Sequence, residues 1–403
     1  MSHSPAARRV PDALSRRRPT WLEIDLDALA ANFRVLSEAA GGRPLWCVVK
    51  AEAYSHGAMA CSRTLERAGA AGLVVALPEE GMALRRGGIR LPILLSGPLP
   101  AGGADPLLEH DITPALSRTE DLRRLEDAAA RRGARASFHL EVDSGMTRMG
   151  LPPHRVDAFM QAAAGCTHCH LEAVFSHLAS VHEPGDEAAR RQLECFSDTV
   201  RHVRKLAGRD VPSHLASSPA LCAFPQAACD MARPGLLLYG VSPAPTLNPP
   251  AGLAPVLSLR ASLVLIQEVP AGVRVGYGGT WTSPADTCLG VISLGYADGL
   301  WRDCAGQAEA ILDGKRVPYV GAVNMDLAQI DLGVGRHAQP GDVVTIIGCH
   351  GGEAITLEEL ATRTGRTVYE WLTNLGGRVP RLTYRSGRLD HVWTPIGSLS
   401  MEC

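Results

Sequence analysis

Short apolar runs alternate with longer amphipathic segments from residue 21 onward. The runs that we interpret as strands are WLEID (21–25), LWCVVKA (45–51), GLVVAL (72–77), PILLSG (92–97), ASFHLEVD (136–143), LEAVFSHLA (171–179), VPSHLAS (211–217) and GLLLYG (235–240). Segments between them, such as RTEDLRRLEDAAARRG, carry apolar residues at three- and four-residue spacing, which predicts amphipathic helices. Apolar strands separated by helices indicate a parallel sheet covered on both faces. Seven or eight such units in about 230 residues fit a (β/α)₈ TIM-like barrel.

The character of the chain changes after the segment SPAPTLNPPAGLAP (242–255), which is rich in Pro, Gly and Ala. Strand-like runs with glycine turns and little helix follow it, so we expect a mainly-β second domain. The predicted organisation is a flexible basic tail at 1–19, an α/β barrel at 20–250, a β domain at 251–385 and a C-terminal tail at 386–403.

Composition narrows the class of protein. The chain has 403 residues, of which 46% are hydrophobic and 20% charged, as in a folded enzyme-sized protein. A formal net charge of -2 gives no overall attraction to nucleic acid or to an anionic membrane. No apolar run reaches the about 18 residues of a membrane span. The 11 cysteines form an odd set without paired spacing, which favours reduced thiols in the cytoplasm.

Polar residues follow the predicted barrel strands, and the C-terminal strand ends of such a barrel line its active face. These residues are Lys50 with Tyr54, Glu141 with Arg148, His177, His214 with Ser217 and Ser218, and Arg233 before Gly235. Several cations together would suit an anionic, phosphate-bearing molecule, and an amine with a lowered pKa can form a Schiff base. Each residue alone also fits an ordinary role: Lys50 as a solvated strand end, for example, or Ser218 as a helix cap. Only their joint placement favours a functional site.

Several segments resemble those of the alanine racemases. VVKAEAYSHG (48–57) is similar to the family's pyridoxal-phosphate lysine motif. VDSGMTRMG, FSHLA, HLASSPA, RPGLLLYG, GYADG and GAVNMD resemble further family segments in the family order. The resemblance spans roughly residues 20 to 385. It implies a pyridoxal-phosphate barrel of fold type III followed by a β domain, in agreement with the hydrophobic pattern.

The resemblance also implies two bases. Lys50 would hold the cofactor and then act on one face of the substrate Cα, while Tyr296 would act on the opposite face. Tyr296 would come from the second domain of another subunit, which implies a homodimer with shared active sites. A tyrosine with an ordinary pKa near 10 needs neighbours that stabilise its phenolate. His177 and Arg233 resemble the family residues that supply this network.

Further roles follow from the same resemblance. Arg233 would face the pyridine nitrogen and leave it unprotonated, which weakens the ring as an electron sink and favours reprotonation over transamination. Arg148 and the Met325 amide would hold the carboxylate of a small amino acid, since a guanidinium can bind a carboxylate with two hydrogen bonds. The residues assigned to the cofactor besides Lys50 and Arg233 are Tyr54, His214, Ser218 and the backbone amides of Gly235 and Leu236.

The chain departs from the family pattern at several positions. Glu141 stands where many members carry a carbamylated lysine, and our hypothesis is that its carboxylate orients Arg148 without CO₂. The alternative is that Glu141 merely pairs with another cation. Glu52 and Ser55 replace the Asn and Gly of the lysine motif, and both could change polarity at the edge of the cofactor. Gly376 and Gly377 replace a common serine-tyrosine pair, which predicts a wider or wetter mouth of the site.

Alternative functions remain open at this point. A pocket for a methyl side chain discriminates weakly against an added hydroxyl, so serine or a broader range of amino acids is an alternative substrate class. A fold-related decarboxylase of basic amino acids lacks its cysteine-bearing motif here. A non-catalytic protein that binds pyridoxal phosphate would resemble the barrel alone. The family suggests D-alanine supply for peptidoglycan, and a specialised pathway fits the same residues.

Overall fold

The computed structural model describes Leu14, residues 18–181, Glu183, residues 186–394 and residues 397–399. It contains two compact units. Leu29–Ala254 form the barrel unit, and the described residues up to Ala28 and from Pro255 onward form the β unit. The first strand, β1 (Thr20–Asp25), belongs to the β unit.

The barrel unit is built on a curled sheet of seven parallel strands in sequential order. These strands, β2 to β8, are Trp46–Val48, Gly72–Val75, Ile93–Leu95, Thr113–Leu116, Ala136–Glu141, Cys169–Phe175 and Ser213–His214. An extended segment fills the eighth position, because Met231 bridges to His214 of β8 and Ala232 bridges to Leu45 just ahead of β2. The predicted (β/α)₈ barrel is confirmed, with isolated bridges in place of a full eighth strand.

Helices accompany these strands. They are α1 Leu26–Ala39, α2 Lys50–Tyr54 (left-handed from residue 51), α3 Ala58–Ala68, α4 Pro78–Arg86, α5 Asp105–Glu109, α6 Thr119–Arg132, α7 Val156–Ala164, α8 Glu187–Ala207 and α9 Ser218–Ala223. The long helices are amphipathic: α8 buries Phe196, Val200 and Val203 along one stripe. No helix within the described residues has the length and apolar character needed to cross a membrane.

The β unit is mostly β, as predicted, with an eleven-stranded sheet around a long strand, β9, and a separate two-stranded sheet. After β1, its strands are β9 Leu257–Val269, β10 Arg274–Val275, β11 Trp281–Thr282, β12 Thr287–Ile292, β13 Glu309–Leu312, β14 Lys315–Val320, β15 Ala328–Gly333, β16 Val343–His350, β17 Glu353–Ile355, β18 Arg381–Arg385, β19 Arg388–Thr394 and β20 Gly397–Leu399. Two helices follow β17: α10 Leu357–Thr364 and α11 Val368–Thr373. β9 pairs with β1, β12 and β16, so it organises the sheet.

Two segments that we predicted to be barrel strands are not part of the barrel sheet. Residues 21–25 form β1, yet this strand pairs antiparallel with β9 and parallel with β18. An apolar pattern reports burial and does not identify the partner strand, so the barrel assignment of this strand was wrong. Residues 235–240 contain a buried 3₁₀ turn, Leu236–Tyr239, instead of a strand. A short apolar run fits either structure when it is buried on all sides.

Both segments that we predicted to be tails contain residues that belong to the folded β unit. Most of 1–17 lies outside the described residues. Arg18, inside the predicted flexible basic tail, forms an ion pair with the buried Asp298. Strands β19 and β20 lie beyond residue 385, where a C-terminal tail was expected, and they continue the sheet from β18.

Candidate active site

Lys50 stands at the end of β2, where the chain turns into an unusual conformation. Residues 51–55 all have positive φ angles, between 51° and 66°, although none of them is glycine. The left-handed helical conformation costs about 1–2 kcal/mol for each L-residue. Five such residues in succession persist only where the surroundings impose them, and such strain is concentrated at functional sites.

Glu80 in the first turn of α4 is one of the groups that impose this conformation. One of its carboxylate oxygens accepts a hydrogen bond of 2.6 Å from the amide of Ala51, the first left-handed residue. The other oxygen accepts from the amides of Ala76 and Leu77 at 2.8 and 3.1 Å. Glu80 therefore ties the turn after Lys50 to the end of β3.

His56 fixes the far end of the same turn. Its Nδ1 lies 2.9 Å from the carbonyl oxygen of Ala53 and 2.8 Å from that of Tyr54. Both partners only accept, so Nδ1 carries the proton and donates to both. The imidazole stacks on the buried ring of Tyr239 at 4.3 Å, and the Tyr239 hydroxyl donates to the carbonyl of Val48 on β2. The histidine thus links the turn to the strand that precedes it.

Of the two departures within the lysine motif, Glu52 has a local structural role. The exposed Glu52 accepts a hydrogen bond of 3.1 Å from the amide of Ala58 and so caps the start of α3. Ser55 is the last left-handed residue, with a φ of 66°. Helix capping therefore gives Glu52 a structural function.

Tyr54, Ser218 and the segment after Arg233 converge on one small cradle. The Ser218 hydroxyl accepts from the amides of Gly235 and Leu237 at 2.9 and 3.2 Å. A Cβ on Gly235 would lie only 2.9 Å from the Tyr54 hydroxyl oxygen, so a glycine is needed here. Hydroxyls and backbone amides are the ligands that a phosphate group prefers, and the Tyr54 and Ser218 hydroxyls and the Leu236 amide lie here. The Gly235 amide, which the sequence also assigned to the cofactor, donates to the Ser218 hydroxyl instead. The cradle therefore fits the phosphate of a cofactor.

Behind this cradle lies a buried row of Arg233, His214 and His139. Arg233 donates to the carbonyls of Ser176 at 2.6 Å and His214 at 2.8 Å, and also to Nδ1 of His214. Because a guanidinium can only donate, Nδ1 of His214 accepts and its Nε2 carries the proton. That Nε2 donates to Nδ1 of His139 over 3.0 Å. Phe175 covers the row, stacked on His214 with the Arg233 guanidinium 4.9 Å from its ring centre.

Burial sets the protonation of this row. Burial, and then the charge of Arg233, lowers the pKa of His139 to about 3 and that of His214 well below its usual range. Burial also lowers the pKa of Arg233 to about 10, against the opposing effect of Glu141. Two neutral histidines therefore support one arginine that stays charged at neutral pH.

Three cations surround His177 after β7. Burial, together with the charges of Arg233, Arg148 and Lys50, lowers the pKa of His177 to about 3. The pKa of Lys50 is also lowered, first by burial and then by Arg148, while Glu80 opposes the shift. A lowered pKa leaves more of the amine unprotonated and nucleophilic. The concentration of positive charge suits an anionic ligand.

Glu141, at the end of β6, is a buried acid between these cations. Burial raises the pKa of its carboxyl to about 7, although Arg233 and then Arg148 favour the charged form. Glu141 lines one small cavity with Arg148, Ser176 and His177. Arg148 is therefore a neighbour of Glu141, as the hypothesis that Glu141 orients Arg148 requires. Arg233 is a second neighbouring cation, as the alternative that Glu141 pairs with another cation requires.

Tyr296 and Met325 form a separate group within the β unit. Tyr296 begins a 3₁₀ turn, and its amide donates to the carbonyl of Asn324 at 2.9 Å. The next amide, of Ala297, donates to the carbonyl of Met325 at 3.0 Å. A Cβ on Gly295 would lie 2.3 Å from that carbonyl oxygen, so the two turns are in direct backbone contact. Their side chains are 42% and 52% exposed, so both are presented to the surroundings.

The predicted site residues thus fall into two groups. The barrel unit gathers those after its strands, namely Lys50, Tyr54, Glu141, Arg148, His177, His214, Ser218, Arg233, Gly235 and Leu236. The β unit carries Tyr296 and Met325. Sequence reasoning missed the supporting residues His56, Glu80, His139 and Asp298. A histidine inside the apolar run ASFHLEVD was a usable signal for His139, whereas nothing in the sequence singles out Glu80.

Both parts of the chain match models of known protein families. Residues 24–243 match the family model "Alanine racemase, N-terminal domain", and residues 256–383 match "Alanine racemase, C-terminal domain". An alanine racemase of Symbiobacterium thermophilum is 37% identical over 368 residues, covering 91% of this chain and 98% of that protein.

Solved structures agree with the sequence comparison. The crystal structure of an alanine racemase from Streptomyces lavendulae superimposes with a TM-score of 0.87 at 37% identity, covering 91% of this chain and 97% of the other. An alanine racemase of Bartonella henselae with covalently bound pyridoxal phosphate gives a TM-score of 0.81 at 26% identity, with coverages of 91% and 99%.

The raised pKa of Glu141 predicts a pH-dependent gain in stability for Glu141→Gln. Below its ordinary pKa of 4.5 the wild-type carboxyl is protonated in the folded and in the unfolded protein. As the pH rises from 4.5 through about 7, the carboxyl ionises in the unfolded protein but stays protonated in the folded one. The folded state binds more protons in this window, so wild-type stability falls as pH rises. The variant removes that loss, and we expect a gain of about 3 kcal/mol at about pH 8 and little change at about pH 4.5.

Urea denaturation across this pH range measures the free energy of unfolding of both proteins. Glu194→Gln, at an exposed position on α8, is the matched control and should show no such divergence. A stability difference for Glu141→Gln that stays constant with pH would contradict the assignment of a buried carboxyl with a raised pKa.

Proposed function

The chain belongs to the alanine racemase family, and from this premise we propose that it interconverts L- and D-alanine with pyridoxal phosphate as cofactor. The observation that carries the proposal is Lys50, an amine with a lowered pKa held at a barrel strand end among cations. A second proton-transfer group, Tyr296, lies exposed on the β unit. Racemisation needs both, because one face of Cα must lose a proton while the other gains one.

The residues of the barrel unit fit the cofactor. Lys50 would hold it covalently, and Tyr54, Ser218 and the Leu236 amide would bind its phosphate, where Gly235 leaves room between them. Arg233 would donate to the ring nitrogen, and its row of neutral histidines keeps the guanidinium in place. When bound, pyridoxal phosphate supplies an electron sink that eases removal of the α-proton.

Lys50 and Tyr296 then divide the proton transfer. Because burial and then the charge of Arg148 favour its neutral form, Lys50 can accept a proton at its Nζ on one face. Tyr296 donates or accepts at its hydroxyl oxygen on the opposite face. Arg148 and the Met325 amide bind the substrate carboxylate, with Glu141 orienting Arg148. His177, neutral at physiological pH, completes the polar network near the phenol.

We assign Tyr296 and Met325 to the site of a second copy of the chain, so the active species is a homodimer with shared active sites. Their exposure on the β unit supports this assignment, since each is accessible to a partner. A cytoplasmic location agrees with the thiols, since the cysteines of the described residues are free. The formal net charge of -2 gives no reason to add nucleic acid or a membrane as a partner.

Replacing Tyr296 by phenylalanine should separate inversion from proton exchange. Without the phenol, racemisation should fall about 10²- to 10⁴-fold, since one general acid–base group is lost. Lys50 still works on its own face, so one alanine enantiomer should continue to exchange its α-hydrogen with retention. Incubation in D₂O with each enantiomer, followed by chiral chromatography and mass spectrometry, measures both rates. Tyr277→Phe, at a residue 76% exposed in the same unit, is the matched control.

The wild-type arm of this experiment includes L-serine and other L-amino acids. Alanine should react fastest, and a profile led by serine would change the substrate while preserving the chemistry. Wild-type protein that binds the cofactor but exchanges no α-hydrogen would contradict the proposed function and favour a non-catalytic binding protein. Tyr296→Phe that racemises at the wild-type rate would contradict the role of the phenol.

Gly235→Ala tests the phosphate cradle. The new methyl group would lie 2.9 Å from the Tyr54 hydroxyl oxygen and 3.4 Å from the Val48 Cβ, so it would push Tyr54 away from the cradle. We expect the affinity for pyridoxal phosphate to fall at least about tenfold, as an overpacked site loses about 1–3 kcal/mol. Titration of the apoprotein, followed by cofactor absorbance, measures it. Gly102→Ala, with open space around its Cβ, is the control, and equal affinities for both variants would refute the cradle.

A further inference from the structure

Asp298, two residues after Tyr296, is a fully buried carboxylate with four donors. Arg18 donates to both of its oxygens, at 2.9 and 2.5 Å. Arg378 places its Nε 2.9 Å from Oδ1, and the amide of Gly295 donates to Oδ2 at 2.9 Å. The side chain of Asp298 has no exposed surface. Hydrogen bonds between charged groups are stronger than neutral ones. The carboxylate is buried, whereas the Arg18 and Arg378 side chains are 32% and 42% exposed.

Arg378 reaches beyond this carboxylate to a second one. Its Nη2 donates to Asp326, the residue directly after Met325. One guanidinium therefore joins the turn that carries Tyr296 to the turn that carries Met325. Arg18 has no such second acidic partner among the ion pairs of the described residues. The two arginines are thus not equivalent.

The backbone around Asp298 leaves the Tyr296 turn little freedom. The amide of Gly376 donates to the Asp298 carbonyl at 3.0 Å. A Cβ on Gly376 would lie 2.9 Å from the Ala297 carbonyl oxygen, and one on Gly299 would lie 2.7 Å from that of Asn374. The turn is therefore enclosed by backbone on one side and by the two guanidinium groups at its carboxylate.

We propose that Arg18 and Arg378 are positioning residues for the opposite-face base. They hold the Asp298 carboxylate, the carboxylate holds the turn through Gly295, and the turn fixes where the Tyr296 hydroxyl stands. Arg378 additionally fixes Met325 through Asp326, so it couples the base to the group that binds the substrate carboxylate. This inference deepens the proposed function and rests on it.

Burying the Asp298 carboxylate among two arginines is an inefficient way to stabilise a fold. Replacing a buried ion pair by apolar residues of similar volume is often neutral or stabilising, so stability alone does not account for this cluster. Tyr296 needs such help because its side chain is 42% exposed within its own chain, so packing there does not hold the phenol. A displacement of about 1 Å at a reacting group can cost about 10²-fold in rate.

The test compares Arg18→Ala, Arg378→Ala and Arg378→Lys with wild-type holoenzyme, with Arg388→Ala as the control at an exposed position on β19. Racemisation in both directions and α-hydrogen exchange with retention are measured in D₂O, together with kcat and KM. Arg18→Ala should lower kcat for racemisation about 10- to 100-fold with little change in KM. Arg378→Ala should lower kcat similarly and also raise KM, because it releases Met325 as well.

The ratio of retained exchange to inversion distinguishes positioning from damage to the fold. It should rise in Arg18→Ala and Arg378→Ala, since the face served by Lys50 stays intact, and should stay at the wild-type value in Arg388→Ala. Arg378→Lys keeps the charge but lacks the fork that spans two carboxylates, so it should recover part of kcat while KM stays raised. If Arg378→Ala loses cofactor absorbance or secondary structure, Arg378→Lys and Arg18→Ala decide the question.

Exchange and inversion that decline in parallel would overturn the inference, as would wild-type kinetics in Arg18→Ala and Arg378→Ala. Either result presupposes a wild-type enzyme that racemises alanine. A wild type without racemisation would refute the proposed function instead, so the two failures are distinguishable.

Discussion

The left-handed turn after Lys50 is the constraint on which the barrel site depends. Five consecutive L-residues with positive φ would not hold this conformation alone, and Glu80 and His56 bind it at its two ends. The turn occupies the residues directly after Lys50. As a result Lys50 remains at the strand end while Tyr54 reaches the backbone at Gly235. A regular helix starting at residue 51 would carry Tyr54 along a different path.

Electrostatics gives this geometry its chemistry. Burial and neighbouring cations keep His139, His177 and His214 neutral, so the histidines add hydrogen bonds without adding positive charge. Positive charge is left to the guanidinium groups and Lys50, where an anionic cofactor and substrate would compensate it. In the β unit the balance differs, because Asp298 is a buried anion held by two arginines. The two candidate bases are therefore held in different ways. A strained backbone turn follows Lys50, whereas an ion-paired carboxylate holds the turn of Tyr296.

Much of this could be predicted from the sequence, and the failures have physical causes. Apolar periodicity indicated the barrel and the β unit, and position after a strand indicated Lys50, Glu141 and Arg233. The same periodicity assigned residues 21–25 to the barrel, because burial does not specify a partner strand. The contact between Arg18 and Asp298 joins positions 280 residues apart, and no local pattern encodes it. The sequence does not indicate the strained backbone at 51–55, because alanine and glutamate ordinarily favour right-handed helix.

The most direct test of the account is complementation between two inactive chains. Lys50→Ala and Tyr296→Phe proteins, each carrying a different affinity tag, would be mixed under conditions that exchange subunits, and doubly tagged dimers would be isolated. If Tyr296 serves the site of its partner, each hybrid holds one site with both bases and one with neither. Random mixing should then restore about a quarter of the wild-type racemase activity, with about half in the purified hybrid. Hybrids that form but remain as inactive as either parent would contradict the shared two-base site.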